Sequence, residues 1–186
     1  METFTSALNT ILALSAIGLT VLGCLVLVAY FCERFRSGPF GAFFSGNAIL
    51  VAFLVSLAGT IVSLIYSNVI GYPPCELCWY QRICLYPQVI LMGLALIRKD
   101  RWINVYGLVL STIGAAIGLY QHIGQLGLTA LPCSAQVGSV SCAIRYVYEF
   151  GVTIPYMSFA AFFFMAAVLL LSTKKGNSGD VEAATA

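Results

Sequence analysis

"CELCWYQRICLYPQVILMGLALIRKDR", Cys75 to Arg101, places two thiols at one end of an apolar run and three cations, Arg98, Lys99 and Arg101, at the other. The run from Trp79 to Ile97 has the length, about 18 to 25 residues, that a helix rising ~1.5 Å per residue needs to cross ~30 Å of hydrocarbon. Four more runs of this kind flank it: Ala7 to Phe31, Ala48 to Val69, Trp102 to Ile123 and Pro155 to Ser172. Sixty per cent of the 186 residues are apolar and nine per cent charged. The alternating pattern of a membrane β-barrel is absent. The expected fold class is therefore an all-α integral membrane protein with five transmembrane helices.

Loop charges orient the spans. Arg34 and Arg36 follow the first, Arg98, Lys99 and Arg101 the third, and Lys174 and Lys175 the fifth, which puts seven of the nine basic residues on one side. By the positive-inside rule that side is the cytoplasm. The N-terminus, the Tyr72 to Cys78 turn and the 124–152 loop are then expected outside, and the C-terminus inside. Met1 to Thr10 has no Lys or Arg and the first run is about 25 residues long, so a retained helix is expected rather than a signal peptide with its ~7 to 15 apolar residues. Gly18 and Gly23 in that helix are places where a neighbour can approach closely. The tail "KKGNSGDVEAATA" from residue 174 reads as disordered. No loop is long enough for a core of its own, and neither a phosphate-binding loop nor a basic surface suited to nucleic acid is present.

Seven cysteines sort by this topology. Cys75 and Cys78 fall in the first outward turn and Cys133 and Cys142 in the second, and in an oxidising compartment the two pairs read as disulfides. Cys24, Cys32 and Cys84 fall within or at the cytoplasmic ends of spans and read as small buried hydrophobes. Pro73 and Pro74 forbid helix just before Cys75 and suit a helix start, so Cys78 is expected in the first turn of the third span. Unpaired N–H groups and the helix dipole favour an anion there, and a thiolate is the species that attacks disulfides.

Arg82 lies four residues beyond Cys78, on the same helical face and ~6 Å deeper. A cation near the membrane needs an acceptor, for which a thiolate and an oxygen-bearing ligand are both candidates. Snorkelling to lipid phosphate, or pairing with Glu76 or Gln81, is the alternative. Cys133 and Cys142 enclose "SAQVGSVS", which is either a static staple or a mobile loop able to relay by thiol exchange.

"CELCWYQR" before an apolar helix, an outward loop with a second cysteine pair, and "GVTIPYMS" opening the final span together resemble the disulfide bond formation protein B (DsbB) family, over about Ala48 to Leu171. The resemblance implies a DsbB-like four-helix membrane bundle at 45–173, preceded by an additional helix and cytoplasmic turn at 1–44 and followed by the tail at 174–186. It implies a quinone-dependent thiol oxidase of the bacterial cytoplasmic (inner) membrane, with ubiquinone or menaquinone as acceptor and a thioredoxin-fold, DsbA-like dithiol oxidase as partner. Cys75 and Cys78 then match the pair that passes electrons to quinone, and Arg82 the arginine associated with binding it. Cys133 and Cys142 match the loop pair that exchanges with the partner, Cys133 being the expected point of attack. His122, at the outer end of the fourth span, matches a histidine near the quinone, and an imidazole can exchange a proton near neutral pH. Gln121, Trp79 and Tyr80 are weaker candidates, since aromatics at that depth are commonly interfacial anchors.

The additional helix departs from the family pattern, and the short loop speaks against a membrane-lying helix, although Ile144 to Phe150, "IRYVYEF", is suited to the interface. Three other readings are a vitamin K epoxide reductase-like quinone reductase, a tetrahedral Cys₄ metal site, and a scaffold stapled by two disulfides. The first is disfavoured because its loop pair precedes the Cys-x-x-Cys in the chain.

Overall fold

The structure, a computed structural model, describes residues 2–98, 102–131, 133 and 140–184. Its helices are α1 (Glu2–Phe31), α2 (Glu33–Arg36), α3 (Pro39–Gly46), α4 (Ala48–Leu64), α5 (Glu76–Arg98), α6 (Ile103–Gln125) and α7 (Ile154–Ala184). Five helical segments are long and apolar enough to cross a membrane: Thr3–Phe31, Ala48–Val69, Glu76–Arg98, Ile103–Gln125 and Ile154–Thr173. They match the five expected runs with ends shifted by a few residues, and the last four form the expected bundle. The cations Lys99 and Arg101 and most of the 134–141 loop lie outside the described residues.

Local sequence explains the helix boundaries. Gly38 and Pro39 open α3, with the proline at the position whose N–H would be unpaired anyway. Pro155 does the same in the first turn of α7. Beyond Leu64 the α4 backbone widens into a turn at Ile65–Val69, with the Ile70 N–H bonding to the Ile65 carbonyl, and then stops. Such wide turns recur at functional sites. The backbone of α7 is helical through Ala184, so the segment from residue 174, expected as a disordered tail, continues the helix. Helix extension needs no new nucleus, which favours this continuation.

α7 is the central element. Half of its span is buried in the bundle, against a third or less for each other span. Phe162, Phe164, Met165, Val168, Leu169 and Leu171 are all but inaccessible. α6 meets it through Gly114 and Gly118, on a face of small residues whose Gly107 and Ser111 also reach Met92 and Gln88 of α5. A Cβ on Gly118 would stand 3.0 Å from the Phe159 backbone nitrogen and 3.1 Å from the Pro155 carbonyl oxygen. α1 packs on the other side of α7, where a Cβ on Gly23 would meet the Phe163 ring at 2.8 Å; Gly18 has open space around it.

Large apolar side chains such as Ile11, Leu54, Ile83, Ile90 and Ile97 point outward, whereas Ser56, Gln81, Gln88, Asn104, Ser111 and Gln121 are buried. This polarity is that of a bundle solvated by lipid, in which polar groups are satisfied between helices. Gln88, after Pro87 in α5, donates to the Cys84 carbonyl (3.1 Å) and accepts from Ser111 (3.0 Å). Cys84 is buried as expected, but Cys24 and Cys32 are exposed. On a helix facing lipid a thiol needs no protein cover, so apolarity alone did not place these two inside.

Candidate active site

Cys75 sits at the turn into α5, where its carbonyl accepts from the Trp79 N–H (3.1 Å), and Cys78 falls in the first turn as expected. Tyr72 is anchored behind the prolines by its N–H to the Tyr66 carbonyl (2.9 Å). The two sulfurs are 2.7 Å apart, closer than two unbonded sulfurs ordinarily approach. Cys133 and Cys142 are bonded to each other as expected, and Cys75 and Cys78 lie within reach of the second expected disulfide. The Cys75 thiol is held well above the ordinary thiol range, first by its hydrogen bond to Cys78 and then by burial.

Two glutamines complete this centre. Gln121, buried on α6, donates its amide to Cys75 Sγ (3.1 Å) and lies 3.7 Å from Cys78 Sγ. Its own oxygen accepts from Gln81 on α5 (2.8 Å). Gln81 therefore orients Gln121 and does not pair with Arg82. One turn beyond, Gln125 donates to the carbonyls of Cys142 (3.1 Å) and Ile144 (3.0 Å), tying the disulfide loop to the end of α6. Cys75, Leu77 and Cys142 form one buried cluster, with Cys78 and Cys133 packed against it. All four predicted cysteines are brought together.

Arg82 turns inward from α5 toward α4. Its Nε donates to Ser63 Oγ (3.0 Å) and one terminal nitrogen to the Ser63 carbonyl (3.2 Å), while the guanidinium lies 5.3 Å from the Trp79 ring centre. Glu76 is taken by the Tyr80 hydroxyl instead (2.9 Å). No ion pair to Arg82 exists among the described residues. Its remaining donors stand at a cavity of about 380 Å³ whose wall includes Cys75, Cys78, Gln121, Cys142 and Ser63. The other walls are largely apolar, a combination suited to an apolar ring with hydrogen-bond acceptors at its edge.

His122 is not among the residues lining this cavity. It is buried against α7, with Nδ1 2.9 Å from the Thr153 hydroxyl and its ring 5.0 Å from that of Tyr156. The 144–150 segment forms no helix: Tyr146 stacks on Tyr72 (4.7 Å) and Glu149 pairs with Val152 across a turn, with Phe150 and Gly151 at positive φ. Among the described residues no cluster of His, Cys, Asp and Glu could hold a metal ion, and the Cys133–Cys142 bond consumes two of the four ligands that a Cys₄ site would require.

Comparison with known proteins gives the family. The family model described as disulfide bond formation protein DsbB matches residues 45–172. The chain belongs to the DsbB family. A "probable disulfide formation protein" of Chlamydia caviae is 39% identical over 136 residues, 72% of this chain and 96% of the relative. That of Chlamydia trachomatis serovar D is 40% identical over 128 residues, 68% and 92% of the two chains. A "probable disulfide formation protein C 1" of Bacillus anthracis is 37% identical over the same length and shares. No solved structure matches. As a DsbB-family membrane protein the chain is a protein disulfide oxidoreductase.

Ser63, Gln81 and Gln125 were not legible as partners of these groups. The available signal was polarity: an amide inside a membrane helix is rarely without a partner across the bundle. That signal marks the residues without saying which groups they meet.

Proposed function

We propose that this DsbB-family chain oxidises a thioredoxin-fold dithiol partner on the outer face of a bacterial cytoplasmic membrane and passes the electrons to membrane quinone. The observation that carries this reading is one cavity lined by Cys75, Cys78, Cys142 and Arg82, a cation that no carboxylate pairs among the described residues.

A partner thiolate attacks Cys133, and Cys142 leaves; the partner's second thiol then displaces Cys133, releasing oxidised partner and a reduced loop pair. In its oxidised form the Cys75–Cys78 disulfide accepts attack by Cys142 on Cys75, so that Cys78 leaves. Cys133 then closes the loop disulfide again, and the two electrons reside on Cys75 and Cys78. Gln121 stabilises the reduced sulfurs by hydrogen bonding, and Arg82 offers donors to a carbonyl oxygen at the cavity edge. Quinone, when bound, accepts two electrons and two protons and restores the Cys75–Cys78 disulfide. Low leaving-group basicity at a helix start speeds each exchange.

The test is spectrophotometric. Purified protein with a short-chain quinone and a reduced thioredoxin-fold substrate is expected to reduce quinone, and Cys78→Ser to abolish turnover. Wild-type rates in Cys78→Ser would sink the proposal.

A further inference from the structure

The family match begins at residue 45, so α1 lies outside it. Yet Leu12, Ser15, Ala16 and Leu19, spaced as one helical face, line the same cavity as Cys78 and Arg82. α4 lines it with a second stripe that includes Ala58, Val62 and Tyr66. α1 is held to α7: Ala13 and Ala16 pack with Val152 and Ala160, and the Tyr156 hydroxyl donates to Thr20 (3.2 Å). One hydrogen bond ties it to the end of α4, from the Tyr66 hydroxyl to Asn9 Oδ1 (2.8 Å). Both residues are buried, and a buried amide oxygen in a membrane helix is costly unless it is met in this way. Tyr66 stacks in turn on Tyr72, at the head of the Pro-Pro-Cys turn.

We propose that α1 is part of the ligand site: its Leu12–Leu19 face is the wall against which the quinone ring packs opposite Arg82, held there by the Asn9–Tyr66 bond. This rests on the quinone reading above and deepens it. Without α1 the α4 stripe would face fluid lipid, which offers no fixed surface to orient a ring. With α1 in place the ring lies between two protein walls, within reach of both the thiols and the guanidinium.

The experiment uses the full chain in lipid nanodiscs and an azido-substituted short-chain quinone. Because the chain has no Lys or Arg before Arg34, trypsin releases α1 within the Met1–Arg34 peptide, while Ser63 and Arg82 leave in Ser37–Arg82. Photolysis is expected to label both peptides, with unlabelled quinone suppressing both. Asn9→Leu is expected to raise the quinone KM roughly three- to tenfold, the loss of one hydrogen bond, while the rate of exchange between reduced partner and the Cys133–Cys142 disulfide stays unchanged. Label confined to Ser37–Arg82, with wild-type quinone turnover, overturns the proposal while leaving the function standing. Absence of quinone turnover in the wild type overturns the proposed function and this inference with it.

Discussion

Gln121→Leu separates redox tuning from packing. In the reduced centre the Gln121 amide donates to Cys75 Sγ at 3.1 Å and lies 3.7 Å from Cys78 Sγ. Disulfide sulfur is a weaker acceptor than thiol sulfur, so this interaction favours the reduced state. A hydrogen bond between uncharged groups contributes about 0.5–1.5 kcal/mol, and for a two-electron couple ~1.4 kcal/mol corresponds to ~30 mV. Loss of the amide is therefore expected to lower the Cys75/Cys78 potential by about 10–30 mV. The same substitution strands the Gln81 amide, which donates to Gln121 at 2.8 Å. That penalty, about 1–3 kcal/mol, falls on both redox states and cancels in the potential. It appears instead as a lower thermal midpoint, which the added substitution Gln81→Leu should largely restore without restoring the potential. The assay is a thiol-disulfide redox titration in nanodiscs, with the fraction oxidised read by maleimide mass-shift of Cys75 and Cys78. An unchanged or raised potential in Gln121→Leu would refute the reasoning, as would recovery of the potential in the double variant.

Cys75 alkylation should begin only above the ordinary thiol range, because the reactive thiolate forms as pH rises through a raised pKa. In Cys78→Ala the first cause of that rise is removed, so the alkylation profile is expected to move to lower pH while burial keeps it above that of a free thiol; mass spectrometry after timed iodoacetamide quenching reads the shift. Gly118→Ala is expected to destabilise the α6–α7 contact by about 1–3 kcal/mol, since the new methyl meets the backbone of α7 rather than a side chain that can turn away. Thermal unfolding should show the loss, and Gly18→Ala, where the space is open, should not.

Much of this protein was legible because its signals are local. Span length, the paired prolines before Cys75 and the Cys-x-x-Cys spacing each act within a few residues, so five spans and the thiol at a helix start could be read from the chain. The partners of Arg82 could not: Glu76 and Gln81 were as near in sequence, yet Ser63, nineteen positions away, holds the guanidinium. His122 shows the same limit. Its depth in the membrane was readable, but the rotation of α6 turned its ring to Thr153 and Tyr156, and brought Gln121 beside the thiols.

The physical reason lies in the solvent. In water, a helix declares its inward face by hydrophobic contrast, whereas in lipid the outward face is as apolar as the buried one, so periodicity does not set helix rotation. Cys24, on an exposed face of α1, illustrates this. Sequence alone determined that the chain has five runs long and apolar enough to cross a membrane, and that its Cys-x-x-Cys pair stands at the start of one of them. Which polar groups meet across the bundle, and the enlistment of α1 as a cavity wall, were decided only by tertiary packing, because they depend on how five similar cylinders turn toward one another.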